Sequence, residues 1–150
     1  MQALRTIYRY WVALLFLPVL VQIGAAGYGA FYAANKSDPG PLSEHQFSHG
    51  FDFHDGFGYL VVLGGIVLAL LALGARLGRR FALMNFVLLL LLIVQVLLAG
   101  FGEDYPVVGI FHPINAFLIL GLTGRLAYEA WWGGARLAAI ELAVEDQASA

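Results

Sequence analysis

Two stretches of this chain share one pattern of residues: VLVQIGAAGYG at residues 19–29 and LIVQVLLAGFG at residues 92–102. Each contains a glutamine, then an Ala-Gly pair, an aromatic residue and another glycine. Each is also followed by a segment that opens with histidine, HDGFGYL at residues 54–60 and HPINAFL at residues 112–118. The order of these motifs predicts an internal repeat whose two units run in the same direction.

The repeated motifs lie in a very apolar chain. Hydrophobic residues make up 61% of its 150 residues and charged residues 12%, whereas soluble domains have about 45–50% and about 25%. A helix needs about 20 apolar residues to cross the hydrocarbon core of a bilayer. Four segments meet this requirement, and the predicted spans are residues 11–34, 57–75, 81–101 and 111–132.

These spans predict an all-α membrane protein, with residues 1–150 forming a single transmembrane domain. The repeat units, about residues 10–75 and 81–132, would each be a helix hairpin, and together they would form a four-helix bundle. A pseudo-twofold axis along the membrane normal would relate the hairpins. His54 and His112 would then lie at equal depth and face each other.

The distribution of charge predicts the orientation in the membrane. One side of the spans carries all seven arginines: Arg5, Arg9, Arg76, Arg79, Arg80, Arg125 and Arg136. The other side carries Lys36 and six acidic residues: Asp38, Glu44, Asp52, Asp55, Glu103 and Asp104. The positive-inside rule therefore predicts cytoplasmic N- and C-termini in a bacterial inner membrane. The net charge of −2 and the lack of a basic patch favour the lipid bilayer, and no nucleic acid, as the partner.

The paired histidines are the strongest candidates for a functional site. The chain has no cysteine, so iron–sulfur clusters and thiolate metal sites are excluded. Two neutral imidazoles from diagonal helices can instead supply both axial ligands of a heme iron. Gly58 and Ala116 follow His54 and His112 by four residues, so they share the same helical faces and leave room for a flat ring. We therefore predict heme b as the cofactor.

Small residues on the first and third helices extend the predicted site. Gly27 and Gly100 would allow those helices to approach a planar cofactor closely. Gln22 and Gln95 lie about one and a half turns deeper, and we expect them to bond each other or a backbone carbonyl rather than the cofactor.

Other interpretations of the same residues remain open. Interfacial histidines often cap helices or bond carbonyl groups, and small residues often serve only helix packing. His45 and His49 have the i, i+4 spacing that binds zinc or copper on a helix. Pro39 and its neighbours instead predict a loop over residues 35–53, and no third ligand can be named.

These motifs resemble one half of the heme A synthase family. The likeness covers most of residues 10–132 and rests on both glutamine–glycine stretches, on His54 with Gly58, and on His112 with Ala116. The sequence is also similar to small uncharacterised bacterial membrane proteins with an HxxxG helix followed by HPxNA. The resemblance implies a four-helix bundle in which the two histidines are axial heme ligands. With one bundle and no cysteine, we expect a heme-holding bundle rather than heme A synthesis.

The expected function is that of a b-type cytochrome, acting alone, as a homodimer or as a subunit of a respiratory complex. Iron with both axial positions filled has no open site for a substrate, which favours electron transport over enzymatic catalysis. The alternative is a structural or assembly subunit that holds another macrocycle, such as chlorophyll, or no cofactor. A small transporter is disfavoured, because the sequence has no chain of intramembrane carboxylates.

The predicted orientation can be tested with reporter fusions. A reporter fused after Lys36 should be exported and one fused after Arg80 should stay in the cytoplasm, because the arginine-rich loop resists translocation. Alkaline phosphatase activity in intact cells measures the first, and fluorescence of a cytoplasm-dependent reporter measures the second. The reverse pattern would overturn the orientation.

Overall fold

The structure is a computed structural model that describes residues 2–38 and 40–148, with side chains described up to residue 133. Pro39 and the side chain of Arg136, which entered the sequence analysis, lie outside the described part. The helices are α1 (Gln2–Lys36), α2 (Glu44–Gly74), α3 (Arg79–Asp104), α4 (Pro106–Gly109) and α5 (Phe111–Ala148). Four of these five helices are long, and α4 is a single turn before α5.

Four helical segments are long and apolar enough to cross a membrane: α1, α2, α3 and the stretch Pro106–Gly133. Large apolar side chains cover the outside of the bundle; Leu70, Leu73 and Phe86 are all exposed. Such a surface is stable in lipid and not in water. The predictions of an all-α fold and of a multi-pass membrane protein are therefore confirmed.

The long helices pack in a ring. α1 contacts α2 and α5, and α3 contacts the same two helices. Among the described residues, the backbones of α1 and α3 do not come close to each other, nor do those of α2 and α5; these diagonal helices meet only through side chains. The helices that carry His54 and His112 are therefore diagonal, as the repeat predicts for a bundle of two hairpins.

The loop expected over residues 35–53 is wrong in its second half, because α2 already begins at Glu44. Ser43 caps this helix: its hydroxyl accepts a hydrogen bond from the Gln46 backbone N–H at 3.2 Å. The Gln46 side chain in turn accepts one from the Ser43 N–H at 3.0 Å. This reciprocal capping box pairs two N–H groups that a helix end otherwise leaves free. α1 is also longer than its predicted span and starts at Gln2.

Polar pairs close the end of the bundle that carries Arg5, Arg80 and Arg125, called the arginine end below. Buried Asn85 on α3 donates to the hydroxyl of Tyr8 on α1 at 2.9 Å. Arg80 and Arg125 both bond the carboxylate of Glu129, whose side chain is only 10% exposed. Interhelical hydrogen bonds of this kind hold membrane helices together. The opposite end, with most of the acidic residues, is called the acidic end.

Candidate functional site

A cavity of about 560 Å³ lies between the helices, on the side of the acidic end. Its wall follows the internal repeat, because nine pairs of equivalent positions from the two hairpins line it. They are Val19/Leu92, Gln22/Gln95, Ile23/Val96, Ala26/Ala99, His54/His112, Asp55/Pro113, Gly58/Ala116, Tyr59/Phe117 and Val61/Ile119. The cavity therefore has approximate twofold symmetry about the bundle axis.

His54 and His112 meet across this cavity. Their ring centroids are 6.0 Å apart, and the ring planes make an angle of 64°. His54 lies in the third turn of α2, and His112 lies in the first turn of α5, which follows the single turn of α4. The repeat therefore brings the two imidazoles together from diagonal helices, at one depth.

Both imidazoles use the same ring nitrogen to bond the protein. Nδ1 of His54 lies 3.1 Å from the backbone oxygen of Gln22, and Nδ1 of His112 lies 3.2 Å from that of Gln95. A carbonyl oxygen only accepts hydrogen bonds, so each Nδ1 must carry the proton. Each Nε2 then keeps its lone pair, which is the form of imidazole that binds a metal ion.

The distance between the two imidazole rings can be compared with the distance expected for two ligands of one metal ion. With metal–nitrogen bonds of about 2 Å, two imidazoles on opposite sides of one metal ion have ring centroids about 6 Å apart. The separation of His54 and His112 is 6.0 Å. This separation is compatible with both imidazoles binding one ion, and it is also an ordinary distance for two aromatic rings in edge-to-face contact.

The side chains of the two glutamines bond differently from each other. Gln22 donates to the backbone oxygen of His54 at 2.8 Å, which is one of the two expected alternatives. Gln95 accepts a hydrogen bond from Asn115 at 2.7 Å. The position equivalent to Asn115 in the first hairpin is Phe57, which has no donor. Gln22 Oε1 is therefore a buried acceptor without a partner among the described residues.

The small residues predicted for the site have separate roles. Gly58, Ala116 and Gly100 line the cavity, whereas Gly27 does not and its neighbour Ala26 does. A Cβ atom on Gly58 would lie 2.8 Å from Nε2 of Gln22, so this glycine makes room for the glutamine. A Cβ atom on Gly100 would meet nothing within 4 Å. Gly100 therefore faces open cavity space.

The cavity reaches both water and lipid. Asp55 and Glu103 line it at the acidic end. Tyr59 and Phe117, equivalent residues of the two hairpins, also line it while being 66% and 64% exposed. A membrane-dissolved ring could therefore contact lipid at its edges while its centre lies between the histidines.

His45 and His49 do not line this cavity. Both lie in the first turns of α2, so the helical premise for an i, i+4 pair is met. Within residues 2–38 and 40–133, no set of three His, Cys, Asp or Glu residues is placed to hold a metal ion. A metal site with three protein ligands is therefore absent from this part of the chain.

No protein-family model, curated protein or solved structure matches this chain. The likeness to heme A synthase thus stays a prediction from short motifs. What supports a function is the cavity, its symmetry and the state of its two histidines.

Proposed function

We propose that this chain is a membrane-embedded b-type cytochrome in which His54 and His112 hold one heme b from opposite faces. It would carry electrons alone, as a homodimer or as a subunit of a respiratory complex. The observation that carries the proposal is the matched pair of Nδ1 hydrogen bonds to the backbone oxygens of Gln22 and Gln95. These bonds leave both Nε2 atoms with a lone pair, and both histidines line the same cavity.

The residues present fit a heme. The cavity volume of about 560 Å³ lies within the range of about 300–1,000 Å³ typical of small-molecule sites. Its wall is mostly apolar, with Val19, Val61 and Leu92 among the buried residues. The buried oxygen of Gln22 can accept a hydrogen bond from a water held beside the ring.

The histidines, the glutamine carbonyls and the apolar wall would each have a different role in such a site. A bound heme supplies a one-electron Fe(III)/Fe(II) couple. The two histidines would hold the iron, and the glutamine carbonyls would fix the tautomer and the orientation of each imidazole. The apolar wall would exclude water from the iron. Because two protein ligands would hold the iron, the group would be suited to electron transfer rather than to catalysis on a bound molecule.

We also propose how the protein is oriented in the membrane. Six arginines with described side chains lie toward the arginine end, and the positive-inside rule would place that end in the cytoplasm of a bacterial inner membrane. Both termini would be cytoplasmic. The heme would then lie in the outer leaflet, close to the carboxylates of Asp55 and Glu103, and would exchange electrons at the outer face.

A second candidate is a structural or assembly subunit that holds chlorophyll or no cofactor. The same hydrogen bonds favour it, because each histidine already ties two helices of one hairpin together, α1 to α2 and α3 to α5. In this case the free Nε2 atoms would bond water or a single magnesium-centred ring. The absorption spectrum separates the candidates.

The absorption spectrum of protein purified from its own membrane tests the proposal. Ligation by two imidazoles should give sharp bands in the reduced state and little response to carbon monoxide. His54→Ala and His112→Ala should each open one axial position, so carbon monoxide would then bind, or abolish heme binding. Native protein without heme absorbance, or a double variant with a full complement of six-coordinate heme, would refute the cytochrome.

A matched pair of glycine variants tests where the ring lies. Gly100→Leu should remove most of the heme, because its side chain would project into open cavity space. Gly27→Leu should keep the heme, because Gly27 has similar free space but does not line the cavity. The heme-to-protein absorbance ratio measures both, and membrane insertion is checked by fractionation. Equal heme loss in both variants would place the ring elsewhere.

The carboxylates at the acidic end should tune the reduction potential. Glu103→Gln should raise the midpoint potential, because a negative charge near the iron favours Fe(III) over Fe(II). Asp104→Asn is the control, since Asp104 is the adjacent carboxylate and does not line the cavity. Redox titration of the visible bands measures the shift. A larger shift for Asp104→Asn would contradict the position of the heme.

A further inference from the structure

The first turns of α2 hold two more imidazoles, outside the cavity. His45 and His49 are one helical turn apart, with ring planes parallel to within 5° and centroids 6.4 Å apart. Both residues are exposed. Residues four apart on a helix project from the same face. The two rings are therefore neighbours at the water-facing end of the bundle.

The backbone under these histidines is fixed. The capping box of Ser43 and Gln46 starts the helix ahead of His45, so the i, i+4 spacing is held by helical hydrogen bonds. Close packing on α1 holds the next turn: a Cβ atom on Gly50 would lie 2.9 Å from the ring of Tyr32. The same tyrosine ring packs edge-on against His49, with centroids 5.7 Å apart.

A carboxylate lies beside one of the rings. Oδ2 of Asp52 lies 3.5 Å from Nδ1 of His49, one turn further along α2. A carboxylate at Nδ1 favours the tautomer with the proton on that nitrogen and leaves Nε2 free as a metal ligand. Glu44 and Asp52 also make this surface negative, which attracts cations.

We propose that His45 and His49 form a surface site for one divalent transition-metal ion, with Cu(II) bound most tightly. Imidazole nitrogen suits copper, nickel and zinc, and copper(II) leads the affinity order of these ions. The chain supplies two ligands and water completes the coordination, since the described residues offer no third protein ligand. Both side chains are exposed, so they can rotate to bring both Nε2 atoms onto one ion. The site is independent of the proposed heme.

Copper titration of the full-length chain without an affinity tag tests this site. The native protein in detergent should bind one Cu(II), with nitrogen hyperfine structure from two imidazoles in its electron paramagnetic resonance spectrum. His45→Ala or His49→Ala should weaken copper binding at least about tenfold. Removing a residue that only hydrogen-bonds a metal ligand already costs about tenfold or more in affinity, and removing a ligand itself should cost at least as much. Asp52→Asn should weaken it less than either.

A variant with altered histidine spacing tests whether copper binding needs the i, i+4 pair or only the presence of two histidines. The double variant Phe47→His, His49→Ala keeps two histidines in this turn but spaces them i, i+2, on different sides of the helix. It should bind copper as weakly as His49→Ala. Native affinity in this control, or in the His45→Ala, His49→Ala double variant, would overturn the proposal.

Two further measurements test whether the copper site is separate from the heme site. The His54→Ala, His112→Ala double variant should retain copper binding, whether or not the native protein carries heme. The His45→Ala, His49→Ala double variant should keep its heme absorbance, because neither residue lines the cavity. Heme loss in that variant comparable to the loss for His54→Ala would instead make this turn part of the heme site and refute a separate copper site.

Discussion

The hydrogen bond from each cavity histidine to a glutamine carbonyl is the interaction on which the rest of the site depends. Hydrocarbon offers no partner for a polar group, so an imidazole within a membrane bundle must be paired by the protein. The pairing at Gln22 and Gln95 uses Nδ1 in both hairpins. It joins neighbouring helices and places the proton on Nδ1, so Nε2 keeps its lone pair in a residue that lines the cavity. One contact thus serves both the fold and the chemistry.

The two ends of the bundle use polar groups in opposite ways. At the arginine end, Asn85 pairs with Tyr8 and Glu129 with two arginines, and apolar packing around Leu68 fills the remaining space. At the acidic end, the two histidines and the two glutamines line a cavity, and Gln22 Oε1 is a buried acceptor without a partner among the described residues. The closely packed arginine end thus holds together the four helices that surround the cavity at the acidic end. Such an arrangement can hold a large ligand without losing the helical packing.

The sequence predicted the architecture well because repeat and hydropathy are properties of whole segments. Equal depth of the two histidines followed from the repeat, and the rings are indeed close.

Features that depend on helix rotation and on local capping were harder to predict from the sequence. The cavity extends further along α3 than along α1, so Gly100 lines it and the equivalent Gly27 does not, a difference that the repeat alone does not predict. The early start of α2 was missed although Ser43 and Gln46 carry a capping-box pattern. The contact of Gly58 with Gln22 could not be read from spacing, since it joins two helices.

Whether the Nε2 atoms of His54 and His112 share one iron can be measured directly. Pulsed electron paramagnetic resonance of the oxidised protein, with ¹⁵N placed only in histidine, counts the histidine nitrogens bound to that iron. We expect two imidazole nitrogens of nearly equal coupling, and their loss when His54 and His112 are replaced by alanine. A single histidine nitrogen, or two that persist in that double variant, would contradict this expectation.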